Sequence, residues 1–162
     1  MDIKPVFKNI ETKKLVGKSV SMSLMNNKTF DLFSDFMPKR KQIKNAICQD
    51  KYEVMIYDEL HFKNFNPNNI FTKWATLEVS NFNNIPEHME GLTIETGLYA
   101  IFKYRGLSKN FGDLMRYIFM EWMPQSGYAL DNRPHFNVLG NKYINNNPDS
   151  EEDVYIPIKK KA

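Results

Sequence analysis

Glu121 is the residue in this sequence whose surroundings point most directly to chemistry. Between Phe111 and Trp122 (FGDLMRYIFMEW) apolar side chains recur at helical spacing. With Ile118 at the centre of that face, Phe111, Leu114, Met115 and Trp122 fall within about 60° of it at ~100° per residue. Glu121 falls at the same edge, between Leu114 and Tyr117, whereas Lys109, Asp113, Arg116 and Met120 point elsewhere. A carboxylate there is only partly solvated and is flanked by rings, which is costly unless the charge finds a partner. A delocalised organic cation is one such partner, because the rings add dispersion and cation–π attraction of about 0.5–2 kcal/mol per contact. Arg105, Arg116 and Arg133 are internal alternatives, and water is another.

Other residues could line the same pocket. Tyr57 and Trp74 in the first half, with Tyr99, Tyr104 and Tyr128 in the second, offer flat apolar walls with polar tips. Ser126-Gly127 lacks the second glycine of a nucleophile elbow. There is no phosphate-binding loop and no dinucleotide fingerprint. His61, His88, His135 and the single Cys48 show no metal-ligand spacing, so neither a metal nor a cofactor is expected.

The elements that must position these residues can be read from periodicity. Lys14–Met25 alternates apolar and small polar residues and predicts a strand. Asn26 or Asn27 then caps a helix from Lys28 to about Met37 with Phe30, Phe33, Phe36 and Met37 on its apolar face, which Pro38 either kinks or closes. Tyr52–Tyr57 and Phe71–Val79 are strand-like, joined by the loop NFNPNN. The second half repeats the order: a strand from Leu92 to Arg105 bent at Gly97, a helix after Ser108 ending at Pro124, then strands Pro134–Leu139 and Val154–Ile158. Strand, helix, strand, strand thus occurs twice. Such a repeat predicts two halves, about 1–90 and 91–162, around a pseudo-twofold axis with both helices on one sheet face and a groove where they meet.

Composition sets the outer limits. The 162 residues suffice for one domain with a sizeable core, and 42% hydrophobic with 25% charged residues is ordinary for a globular chain. The balance of 22 basic against 19 acidic residues gives +3, too weak a surplus to predict direct nucleic-acid binding. No apolar run approaches the ~20 residues of a membrane span, and the start lacks a signal-peptide core. One cysteine suits a reducing compartment, so a cytoplasmic location is expected.

Several segments together carry a family resemblance. GLYAIFKYRG (Gly97 to Gly106), FMEWMPQSGY (Phe119 to Tyr128), RPHF (Arg133 to Phe136) and VYIPIKK (Val154 to Lys160) resemble the GyrI-like, or gyrase-inhibitor-like, effector-binding domain. FMPKRKQIKN (Phe36 to Asn45) and TLEVSNFNNIP (Thr76 to Pro86) match in order. The same domain ends many AraC-type and MerR-type regulators. The resemblance implies an α+β fold of duplicated strand-helix-strand-strand (SHS2-like) units, an antiparallel sheet with helices on one face, and a central cleft for hydrophobic, often cationic, small molecules. It carries the acidic ligand-binding residue onto Glu121 and aromatic ones onto Tyr99 and Trp122. The Glu and Tyr that relatives place after RPHF are Asn137 and Leu139 here, so one acidic and one phenolic group of the cleft are missing.

The function expected is therefore that of a stand-alone effector-binding domain, without a DNA-binding domain, acting as a sensor or sequestering protein. Its ligand-binding candidates are Glu121, Tyr99, Trp122, Trp74 and Tyr57. One alternative is a hydrolase of cyclopropane-type electrophilic toxins with Glu121 as general base. Another is an interaction module for gyrase or a separately encoded regulator.

Overall fold

The computed structural model describes residues 3–162. Its strands are β1 (Val6–Ile10), β2 (Lys13–Met22), β3 (Ala46–Ile56), β4 (Phe71–Val79), β5 (Glu90–Ile94), β6 (Gly97–Arg105), β7 (Tyr128–Leu130), β8 (His135–Leu139) and β9 (Glu151–Lys160). Helix α1 spans Thr29–Lys39. The second helix begins as α2 (Phe111–Arg116), widens into a π-helical segment at Tyr117–Trp122 and closes with the short turn α3 (Met123–Gln125).

All the strand pairings are antiparallel, in the order β1-β6-β9-β8-β3-β4-β2-β5, with β7 added to the end of β9. Each half therefore places its three main strands in the same relation, β2-β4-β3 meeting β8-β9-β6 along the β3–β8 ladder.

That order forces the sheet to curl. Only Glu11 and Thr12 join β1 to β2, yet five strands lie between those two in the sheet. Laid flat, the gap would be about 29 Å at ~4.8 Å per strand, whereas a two-residue link reaches about 11 Å. Glu95 and Thr96 impose the same limit between β5 and β6, and the Thr96 hydroxyl donates to the Ile10 carbonyl at 2.6 Å where the two links cross. At Gly17 the β2 and β4 backbones approach so closely that any Cβ would strike the Ala75 carbonyl.

Alternation sorts the side chains onto the two faces of this curl. Inside lie Ile10, Leu15, Tyr52, Val54, Trp74, Ile94, Tyr99 and Phe136. On the outer face α1 seats Leu32 and Phe36 on Val16, Ala75, Leu77 and Val79. The second helix seats Leu114, Ile118 and Met123 on Ala100, Phe102, Val154 and Ile156. Each such burial contributes roughly 1.5–3 kcal/mol.

Three expectations are corrected. Phe30 is 81% exposed, because Leu32 and Phe33 precede Phe36 by one helical turn and Phe30 does not. The stretch Leu92–Arg105 is two strands rather than one bent strand, since it must pass between non-adjacent places in the sheet at Glu95-Thr96. Neither Asn26 nor Asn27 is the helix cap: Lys28 holds that position with no side-chain capping bond, and the Asn27 side-chain oxygen accepts from the Thr29 amide at 2.9 Å.

Candidate functional site

Between the two helices the sheet floor is formed by β4, β3, β8 and β9. The register puts Glu53 opposite both Ala75 and Asn137, and Met55 opposite both Lys73 and His135. Glu152 faces the same way, opposite Tyr104. Ala75 and Tyr104 belong to the outer-face clusters, so Glu53, Lys73, His135, Asn137 and Glu152 all stand on the helix side along the seam between the halves.

The polar end of the seam is short of positive charge. The Lys73 ammonium lies 3.1 Å from Glu53 Oε1, with the side chains only 12% and 15% exposed. It also donates to Thr29 Oγ1 at 2.9 Å, which ties the start of α1 to the seam. Glu152 has no ion pair among the described residues. Burial, reinforced by the Glu53 charge, pushes its carboxyl up to about 7, although Lys73 pulls the other way. Asn137 is buried, and its side-chain oxygen has no hydrogen-bond partner among the described residues. Burial also raises the Tyr143 hydroxyl; Ser108 opposes this, and Glu152 and Glu53 add to it.

The other end is walled by rings. Tyr57 touches His61, Phe62, Phe71 and His135 at centroid distances of 4.6, 4.8, 4.9 and 4.8 Å. Phe62 stacks on Phe119 at 4.7 Å and on His135 at 5.5 Å, nearly parallel to both. The segment after β3 thus lays a ring between the π-helical segment and β8. Burial drives His135 down to about 3, helped by His61 and Arg133, so the imidazole is neutral at ordinary pH.

The residues singled out from sequence are dispersed. Tyr57 is in the seam. Trp74 and Tyr99 are inside the curl, on the opposite side of the sheet, because their strand positions have the other parity. Tyr99 donates its hydroxyl to the Pro134 carbonyl at 2.8 Å and lies under the Arg133 guanidinium, 4.8 Å from its centroid. Trp122 meets Phe102 edge-on at 5.1 Å and Phe7 at 6.1 Å.

Glu121 is exposed rather than sheltered. The cause is the π-helical segment, whose i→i+5 bonding turns the chain less per residue than an α-helix. The buried positions run Leu114, Ile118, Met123, spaced by four and then five, so three steps from Ile118 carry Glu121 beyond the apolar edge. Two residues from Phe119, it lies on nearly the opposite side of the helix from the ring cluster. Glu121 has no ion pair among the described residues, while Arg105 and Arg133 are held by Asp149 and Asp131 at 2.8 and 2.7 Å.

Sequence reasoning missed Glu53, Lys73 and Glu152. Their signal is a charge at an alternation position beside an apolar residue of the same face: Glu53 beside Met55 in YEVMIY, Lys73 between Phe71 and Ala75 in FTKWATLEV, and Glu152 beside Val154 in EEDVYI. Elsewhere, a hollow of about 270 Å³ opens beside α1, lined by Lys18, Asp31, Asp35, His88 and Glu90 among others.

A curled antiparallel sheet with two helices on one face is the α+β arrangement of a GyrI-like domain. The chain belongs to the Cass2 family of integron-associated effector binding proteins, whose family model matches residues 8–158. No curated protein matches it in sequence. Among solved structures, SAV2435 bound to tetraphenylphosphonium is 11% identical with a TM-score of 0.68, covering 96% of this chain and 94% of that chain. The EcmrR C-terminal domain is 14% identical with a TM-score of 0.70, covering 99% and 100%. Integron cassette protein VCH_CASS2 from the mobile metagenome of Vibrio cholerae is 10% identical with a TM-score of 0.67, covering 96% of each chain. At such identities these likenesses speak for the fold alone. No helix among the described residues is long and apolar enough to cross a membrane.

Proposed function

We propose that this protein binds a small hydrophobic organic cation in the seam between its helices, as a sensor or sequestering protein rather than an enzyme. The observation that carries this reading is Glu152: a half-buried carboxyl on the seam, under the influence of the Glu53 charge, with no ion pair among the described residues. A ligand cation supplies the missing charge, and Tyr57, Phe62, Phe119 and His135 supply flat surfaces for its rings. The tetraphenylphosphonium held by SAV2435 has this chemistry, and the shared fold makes it the natural first probe.

Calorimetric titration with tetraphenylphosphonium tests the reading. Saturable binding that weakens about tenfold or more in Glu152→Gln and in Glu53→Gln is expected, the loss a charge-assisted contact carries. Equal affinity in both variants would refute it.

A hydrolytic reading has one observation in its favour: a carboxyl near 7 is matched to general-base work at neutral pH. On that reading Glu152, rather than Glu121, takes the proton of the attacking water. Mass spectrometry of an incubated cyclopropane electrophile separates the two, since catalytic turnover to a product one water heavier means enzyme and unchanged compound means binder.

A further inference from the structure

The Lys73 ammonium already occupies the place where an organic cation would be welcome. It approaches Glu53 at 3.1 Å from the neighbouring strand and is steadied from α1 by Thr29 Oγ1 at 2.9 Å. Both members of the pair are largely shielded from water, so the contact is little screened. With Lys73 in place and Glu152 ionised, the seam holds two carboxylates and one ammonium, which leaves one negative charge uncompensated. The same ammonium acts on Glu152, opposing the influence of Glu53. Any positive ligand drawn to Glu152 therefore meets a like charge fixed on the floor of its own site.

We propose that Lys73 is a resident counter-ion that sets how much positive charge the seam accepts, so that cationic ligands bind against it and gain Glu53 only by displacing it. This rests on the seam being the cation site. Like-charge juxtaposition is the means by which interfaces reject unwanted partners. Here it makes a singly charged ligand a weak one and reserves tight binding for ligands that engage both carboxylates.

The test compares tetraphenylphosphonium with neutral triphenylphosphine oxide, which has similar rings and no charge. Lys73→Met is expected to raise affinity for the cation about tenfold or more, with less than about a twofold change for the neutral probe. Lys73→Arg, which keeps the charge, is expected to bind both probes as the unaltered protein does. Should Lys73→Met fail to fold with Glu53 left unpaired, Lys73→Gln retains an amide donor for Glu53 and is expected to gain about threefold for the cation alone. Unchanged or weakened cation binding in the folded variant, or an equal gain for both probes, overturns the role of Lys73. Loss of cation binding in Glu53→Gln and Glu152→Gln alongside such a result would leave the cation site standing; if those two variants bind normally, the site itself is refuted.

Discussion

Glu53 on β3 stands directly across the ladder from Asn137 on β8. Asn137 is uncharged, so Glu53 is the one carboxylate of this pair. Asn137→Glu would then set two carboxylates face to face. We expect this variant to melt several degrees lower at pH 8, in line with a cost of about 1–3 kcal/mol for a buried like-charge pair. Adding Glu53→Gln should restore most of the loss, and thermal unfolding of the two single variants and the double variant measures the coupling.

Glu152 gives the fold a pH dependence with a definite sign. Its carboxyl is raised from an ordinary 4.5 to about 7, so the folded state holds its proton more tightly than the unfolded chain does. The associated stability is fully present below about pH 4.5 and is lost as pH rises through 7. The loss is on the order of 3 kcal/mol at most. His135 runs the other way: it folds neutral, and its contribution fades as pH falls from 6.5 toward 3. Urea unfolding of the unaltered protein and Glu152→Gln at pH 5 and pH 8 isolates the carboxylate: the variant should lose less stability between those values. Cation affinity should climb over the same rise in pH.

Phe62 fills the gap between Phe119 and His135. Phe62→Ala should lower stability by ~1–3 kcal/mol through lost ring packing. In exchange it should quicken tetraphenylphosphonium association, which stopped-flow mixing would register; an unchanged rate would mean that this ring does not obstruct the seam.

Glu121→Gln should leave cation affinity within about twofold and stability within ~0.5 kcal/mol, as befits an exposed side chain. A large drop in calorimetric affinity would return the charge role to Glu121 and away from Glu53 and Glu152.

The inner face of the curl is expected to matter for stability and not for ligand. Tyr99→Phe removes the bond to the Pro134 carbonyl and should cost about 1 kcal/mol. Trp74→Phe removes a buried indole N–H that has no partner among the described residues, which offsets part of the lost ring area. Tetraphenylphosphonium binding should be unchanged in both.

Much of the architecture was legible because strands and helices announce themselves by period. Phe71–Val79 coincides with β4, and Leu114 and Ile118 mark the buried face of the second helix. What could not be read was the parity of one strand relative to another. Trp74 and Tyr99 look like pocket walls until the register places them inside the curl, and Glu53 looks like a routine strand charge until β8 is set beside it. The π-helical segment was equally hidden, since the spacing Leu114, Ile118, Met123 is legible only once Met123 is known to be inside. One clue did lie in plain sight: Ile10-Glu11-Thr12 and Ile94-Glu95-Thr96 are the same tripeptide, and each leads from an edge strand to the strand beside the opposite edge.

That crossing ties the two halves to each other. β1, which leads into the first half, completes the sheet of the second, and β5, which leads into the second, completes that of the first. Neither half made alone would have both its outer strands, so a chain severed between Asn84 and Glu90 should yield fragments that fold only when mixed. The clasp also means that a ligand prising the helices apart works against a hinge locked at its back.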